Sequence, residues 1–195
     1  MDKQERRDKK PISLLIMNIQ EKYQRLRPQL KHGDVILFRG KKPLSKIIQN
    51  FDGDAYFNHV GIILKVSGAF FIIDSNAGGV EPGRLSERIE KYIDFKIMRS
   101  TLSEGLIEEA LETVLLKPDS KQIKYDFVNG AKAMVNRKLN KDIFKIRLTD
   151  NNDICSMFVR PYAIRVLLIK DIMNINRLFF PQDYERFKNK VIEIN

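Results

Sequence analysis

The sequence predicts an α+β domain, and three observations carry that prediction. Short apolar runs bounded by Gly, Pro and Asp crowd the first half of the chain, whereas longer stripes of helical period fill the second half. Two of the early runs meet at a tight Ser67-Gly68 connection, the mark of an antiparallel hairpin. With 195 residues, 43% of them hydrophobic and 12 of them Phe, the chain has apolar material for one real core, which excludes a disordered protein.

Ile12, Leu15, Ile16, Ile19, Tyr23 and Leu26 fall on one helical face, so a helix is expected to end before Pro28. Gly33-Asp34 opens a buried strand over 35–38, and 43–51 reads as helix. Residues 59–66 and 69–74 make the two strands of the hairpin. Gly78-Gly79 and Pro82-Gly83 predict loops around a short extended piece at Val80. A short helix over 85–92 and a strand over 95–99 follow. Thr101 with Glu104 has the spacing of a capping box, and behind it Leu106, Ile107, Ala110, Leu111, Val114 and Leu115 form a stripe. A basic amphipathic segment spans 127–141, and a helix interrupted by Pro161 spans 156–169. The sheet is expected to be small and antiparallel, or a partial barrel, packed against these helices.

The net charge is +10, but it is local: residues 1–30 carry +4 and residues 117–147 carry +6. The chain therefore divides into a basic helical arm, 1–30, and a domain, 31–195, with a basic helical segment at 117–147. That segment is either a packed helix with a solvated basic back or a contact for an anionic surface or membrane. No binding motif or aromatic interleaving accompanies the charge, so nucleic acid is not an expected partner. No apolar run is long enough to cross a membrane, and the first residues do not read as a signal peptide, so a soluble chain is expected, cytoplasmic or of unknown compartment. A single cysteine excludes an internal disulfide and any cysteine-rich metal site; no metal or cofactor is expected.

That cysteine, Cys155, stands where the helix over 156–169 begins, and there unpaired N–H groups and the helix dipole favour thiolate. The dipole alone does not suffice. Bringing a thiol from ~8.5 to ~5 takes roughly 4.8 kcal/mol, against ~0.3–1 from a helix end. Cys155 is thus either a small buried hydrophobe or, given a cationic partner, a nucleophile. His59 opens a strand whose alternate residues Val60, Ile62, Leu64 and Val66 form an apolar face. The imidazole falls on the other face with Gly61, a residue that leaves room for an approaching helix. It is either a hydrogen-bonded core histidine or that partner. Asp74 closes the next strand, as a turn acid or as a carboxylate placed to orient imidazole.

Taken in order, Gly33-Asp34-Val35-Ile36-Leu37, His59-Val60-Gly61-Ile62, a strand ending in an acid, and Cys155-Ser156 resemble the NlpC-like branch of the papain-like cysteine peptidases. The cysteine follows the histidine strand instead of preceding it, as in the circularly permuted group of YiiX-like proteins and lecithin–retinol acyltransferase relatives. Arg39-Gly40, Gly79-Val80, Lys96-Ile97-Met98-Arg99, Tyr125-Asp126 and Pro181-Gln182-Asp183-Tyr184 fit the YiiX-like side, and the likeness spans residues 31–187. Pro161 and the long basic stretch before Cys155 depart from the pattern. The resemblance implies a permuted papain-like fold that includes the nucleophile helix. It assigns Cys155 as nucleophile, His59 as general base and Asp74 as the third residue, with Tyr125 as an oxyanion or substrate contact. The implied activity is a cysteine amidase or peptidase acting through a thioester on a small peptide, an amino-acid amide or a cell-wall-type amide. The alternatives are a lipid-active thiol acyltransferase or hydrolase taking a lipid acyl substrate, and a non-catalytic binding module of the same fold.

Overall fold

The computed structural model describes residues 18–41, 56–76, 79–115, 124–125, 152–153, 162 and 191–194. Among them an antiparallel six-stranded sheet runs in the order β4-β3-β2-β1-β5-β8, built from β1 (Val35–Gly40), β2 (His59–Val66), β3 (Ala69–Asn76), β4 (Gly79–Arg84), β5 (Tyr92–Ser100) and β8 (Val191–Ile194). The helices are α1 (Ile19–Leu26), α2 (Leu85–Ile89) and α3 (Glu104–Leu115). A short parallel pair, β6 (Lys124–Tyr125) and β7 (Asn152–Asp153), stands apart from the sheet, with β6 lying against β3 and β4. This is α+β, and the sheet is open, not a barrel.

The hairpin forms where expected. Ser67 and Gly68 both have positive φ, +47° and +80°, the pattern of a type I′ turn whose twist suits right-twisted strands. The turn fixes the register Val66↔Ala69 through Gly61↔Asp74. β4 is a difference: the Gly- and Pro-rich stretch makes a six-residue strand, not loops around an extended residue. It is the edge of the sheet, where Pro82 is tolerated because one side of the strand has no ladder to feed.

Sheet alternation puts Ile36, Phe38, Ile63, Ile72, Phe95 and Ile97 on one face, and α1 and α2 cover it with Tyr23, Leu26, Leu85 and Ile89. Leu30 also joins this core, so the described residues from Ile19 to Leu30 take part in the packing. Val35, Leu37, Val60 and Ile62, on the opposite face, are equally buried. The sheet therefore sits between two layers, which explains runs in which almost every residue is apolar.

α1 starts at an Asn18 N-cap in a full capping box with Glu21 and ends at Leu26; Pro28 lies in the 3₁₀ turn Arg27–Gln29. Lys22 anchors it to β5, donating from Nζ to Asp94 Oδ1 at 2.7 Å and to the Phe95 carbonyl at 2.6 Å. α3 begins at Glu104, with Ile107 N–H bonded to the Ser103 carbonyl. Thr101 therefore lies short of the cap position that its spacing to Glu104 suggested. The expected helices over 43–51, 127–141 and 156–169 lie outside the described residues, Tyr162 excepted, as do Ile12, Leu15 and Ile16.

The turn that opens β1 is the tightest point of the fold. Gly33 has φ +82°, and a Cβ there would overlap Ile107 and the Tyr162 hydroxyl, which donates to the Gly33 carbonyl. Asp34 beside it is buried. It accepts a two-point contact from Arg99, Nε to Oδ1 at 2.8 Å and Nη2 to Oδ2 at 2.6 Å, and the Lys31 N–H adds a third bond.

Two outcomes follow from this packing. Gly33→Ala is expected to lower unfolding stability in urea by about 2–5 kcal/mol, from backbone strain plus overlap, whereas Gly68→Ala, open on all sides, should cost about 1. Equal costs would mean that the Gly33 turn relaxes. For Asp94, burial pushes the carboxyl up, but hydrogen bonds from Lys22 and Tyr56, the Lys22 charge and the Phe95 N–H outweigh it and hold the group below its ordinary value. A carboxyl lowered by folding stabilises above its unfolded value and loses that contribution as pH falls through the folded one. Lys22→Met should therefore cost about 1–2 kcal/mol at pH 7 and progressively less below about pH 4, read from urea midpoints across pH.

Candidate active site

The site grows from the open end of the hairpin. Asn58, the residue before β2, is buried and pins this corner: its N–H donates to the Phe38 carbonyl at 2.9 Å, and its Oδ1 accepts from Gly40 N–H at 2.9 Å. The next residue, His59, is thereby set opposite Phe38, its register partner on β1.

Aromatic rings frame the imidazole. Tyr92 lies nearly parallel to it, with centroids 5.7 Å apart and planes at 12°, and Phe38 stacks on Tyr92 at 4.2 Å. Phe38 and His59 are 6.1 Å apart at 29°. Rings at these separations hold one another by offset stacking and leave the imidazole little freedom to swing. The side chain of His59 is only 12% exposed.

Asp74 enters from β3 on the same face, and its side chain is 0% exposed. Its Oδ2 lies 2.8 Å from Nε2 of His59. With Nε2 carrying a hydrogen toward the carboxylate, Nδ1 is the basic nitrogen of the ring. The other oxygen, Oδ1, lies 3.1 Å from Nη2 of Arg88 on α2. That contact is an ion pair without hydrogen-bond alignment, and Oδ1 has no aligned donor among the described residues. A desolvated carboxylate is thus shared between an imidazole and a guanidinium.

At Gly61 a Cβ would come within 2.6 Å of Cδ1 of Ile72, so the glycine makes way for a neighbouring strand's side chain; the helix expected to approach it lies outside the described residues. Of the four residues singled out from the sequence, the structure brings His59 and Asp74 together. Tyr125 contributes a backbone position in β6, and its side chain is outside the description. Cys155 lies outside the described residues. It follows β7 by two positions and precedes Tyr162 by seven.

Sequence reasoning missed Arg88 and Tyr92. A signal existed for Arg88: in α2, Leu85, Arg88 and Ile89 stand at the i, i+3, i+4 spacing of one helix face, and two of the three are core residues. A cation on a buried stripe needs an anion, and Asp74 is that anion.

No family model matches the chain, and no curated protein does. Among solved structures, the chain is similar to the metalloprotein YiiX of Escherichia coli O157:H7, with a TM-score of 0.53 and 18% identity, over 73% of this chain and 69% of that one. At that identity the likeness is one of fold: the sheet and its helices follow a YiiX-like plan. No helix among the described residues is long and apolar enough to cross a membrane.

Asp74→Asn should destabilise the protein by about 2–4 kcal/mol, because it leaves Arg88 facing a neutral amide in a site from which water is nearly excluded. Adding Arg88→Met to that variant should cost less than Arg88→Met costs alone, in a four-point urea-unfolding cycle. Strict additivity would show that the two groups do not interact.

Proposed function

We propose that the protein is a cysteine hydrolase, an amidase or peptidase acting on a small peptide or cell-wall-type amide, with Cys155 as nucleophile, His59 as general base and Asp74 as its orienting group. The observation that carries this reading is the His59–Asp74 contact: a buried carboxylate holding Nε2 at 2.8 Å presents Nδ1 as the nitrogen that exchanges protons. Two further facts support it. β7 ends two residues before Cys155 and pairs with β6, which lies against the strand that carries Asp74. Farther on, Tyr162 ties the chain after Cys155 to the Gly33 turn.

In this reading the Cys155 thiol gives its proton to Nδ1 of His59, and the sulfur attacks the carbonyl carbon of the amide. The resulting oxyanion is met by the Cys155 N–H, with Tyr125 as a second donor. As the intermediate collapses, the carbon–nitrogen bond breaks and the imidazolium returns its proton to the departing amine. Water then adds to the thioester while His59 takes its proton, and the acid leaves as the thiol re-forms. Asp74 stays ionised throughout, facing the imidazolium when it exists.

The similar E. coli protein is described as a metalloprotein, and the described residues of this chain do not fit a metal. No group of three or more His, Cys, Asp or Glu converges among them. His59 and Asp74 are bonded to each other, and Arg88 places a positive charge on the remaining carboxylate oxygen. No step is assigned to a metal.

Incubation with activated peptide esters or amides is expected to leave an acyl adduct on Cys155, seen by intact-mass and peptide mass spectrometry and absent in His59→Ala. Iodoacetamide should modify Cys155 well below pH 8, as a thiol lowered from about 8.5 would allow. An adduct from lipid acyl donors alone would move the substrate class to lipids. No adduct from either class, with alkylation rising only near pH 8.5, would overturn the hydrolase reading in favour of a binding module.

A further inference from the structure

Arg88 touches Asp74 in a setting that looks built for the contact. α2 is docked by Leu85 and Ile89, both fully buried, so the residue between them on the same face is carried toward the sheet. The Arg88 side chain is 14% exposed. Across from it, β4 has a glycine: a Cβ at Gly83 would stand 3.2 Å from Nη2 of Arg88, and its absence leaves the guanidinium its space. Around the pair, Arg88 from α2 meets Asp74 and Tyr92 from β5 stacks on His59, while Glu81 on β4 is the register partner of Asp74.

We propose that Arg88 is a positioning residue for the His59–Asp74 pair, holding the carboxylate so that Oδ2 faces Nε2 and setting, by its charge, how readily the imidazole takes up a proton. The charge count gives the direction. With Arg88 present, the trio of Arg88, Asp74 and neutral His59 sums to zero, and protonating the ring makes it +1. Without Arg88, protonation takes the pair from −1 to zero, which a poorly hydrated site strongly favours. Arg88 therefore makes the imidazole less ready to hold a proton than it would be beside the same carboxylate without the guanidinium. The catalytic meaning of this rests on the hydrolase reading; the electrostatic coupling does not.

The chain has only two histidines, so a ¹H–¹³C NMR titration of the imidazole C–H signals reads both, with His59→Gln giving the assignment and His32 as internal control. Arg88→Met is expected to raise the His59 midpoint by about one pH unit with His32 unmoved, while Arg88→Lys stays within about 0.3 of the parent. A folded Arg88→Met with an unchanged midpoint, or Arg88→Lys shifting as far as Arg88→Met, would overturn the proposal. If Arg88→Met does not fold, Gly83→Ala, which crowds the guanidinium without removing it, should move the midpoint in the same direction by about half as much; no movement counts against the proposal. Cys155 acylation separates the two readings. A shifted midpoint with no adduct in the parent protein sinks the hydrolase and spares the coupling, and an adduct with no shift does the reverse.

Discussion

A carboxylate with no access to water must be neutralised where it stands, and much of this fold is arranged around that requirement at Asp74. Its side chain is wholly buried on β3, between an imidazole from β2 and a guanidinium from α2. Removing Arg88 would leave the carboxylate with only the imidazole to offset its charge, and removing His59 would leave Oδ2 without its hydrogen-bond donor; either loss is costly in the interior. The short helix α2 has only five residues, too few to be stable by itself. Two buried apolar side chains and one ion pair hold it against the sheet. The same carboxylate therefore organises the site and secures the helix beside it.

The molecule contains a second buried aspartate, and the contrast separates scaffold from chemistry. Asp34 has both oxygens filled, by the Arg99 fork and by the Lys31 N–H, and its own carbonyl accepts from Ile63 N–H at 2.8 Å. Such a group has nothing left to offer a reaction; it fixes the Gly33 turn at the start of β1. Asp74 is less completely satisfied. One oxygen meets a titratable ring and the other meets a cation without an aligned hydrogen bond. A buried polar group left partly unsatisfied is costly, and such costs are commonly met at functional sites.

The sequence made the strand part of this arrangement readable. The alternation in residues 59–66 and the Ser67-Gly68 turn lead directly to the hairpin, and the acid near the end of its second strand lands beside the histidine opening the first. Less readable was anything set by a third element. By sequence Arg88 is one charge in a short helix, and only the docking of α2 on the Asp74 face gives it a partner. β4 was hidden because its Gly and Pro carry the composition of a loop, and only the pairing with β3 makes it a strand. At Gly61 the alternation shows a position without a side chain, but not that Ile72 on the adjacent strand takes up the space. In each case the deciding contact is made between different elements, which local period and propensity do not encode.

The hairpin register also ties the His59–Asp74 distance to a turn far from it. Gly61 pairs with Asp74, so His59 lies two residues along the same face, in the diagonal cross-strand relation that long polar side chains can bridge. A slip of one residue would turn Asp74 to the opposite face, among Ile62, Ile73 and their neighbours, and leave the imidazole without its carboxylate. What prevents the slip is the two-residue turn at Ser67 and Gly68, together with the requirement that Ile63 and Ile72 share the core face. Ser67 adopts a left-handed conformation that costs a non-glycine residue about 1 kcal/mol or more. A longer, relaxed loop would remove that strain and with it much of the constraint on register. The strained turn at one end of the hairpin thus maintains the hydrogen bond at the other, and the geometry of the candidate site depends on a connection that never touches it.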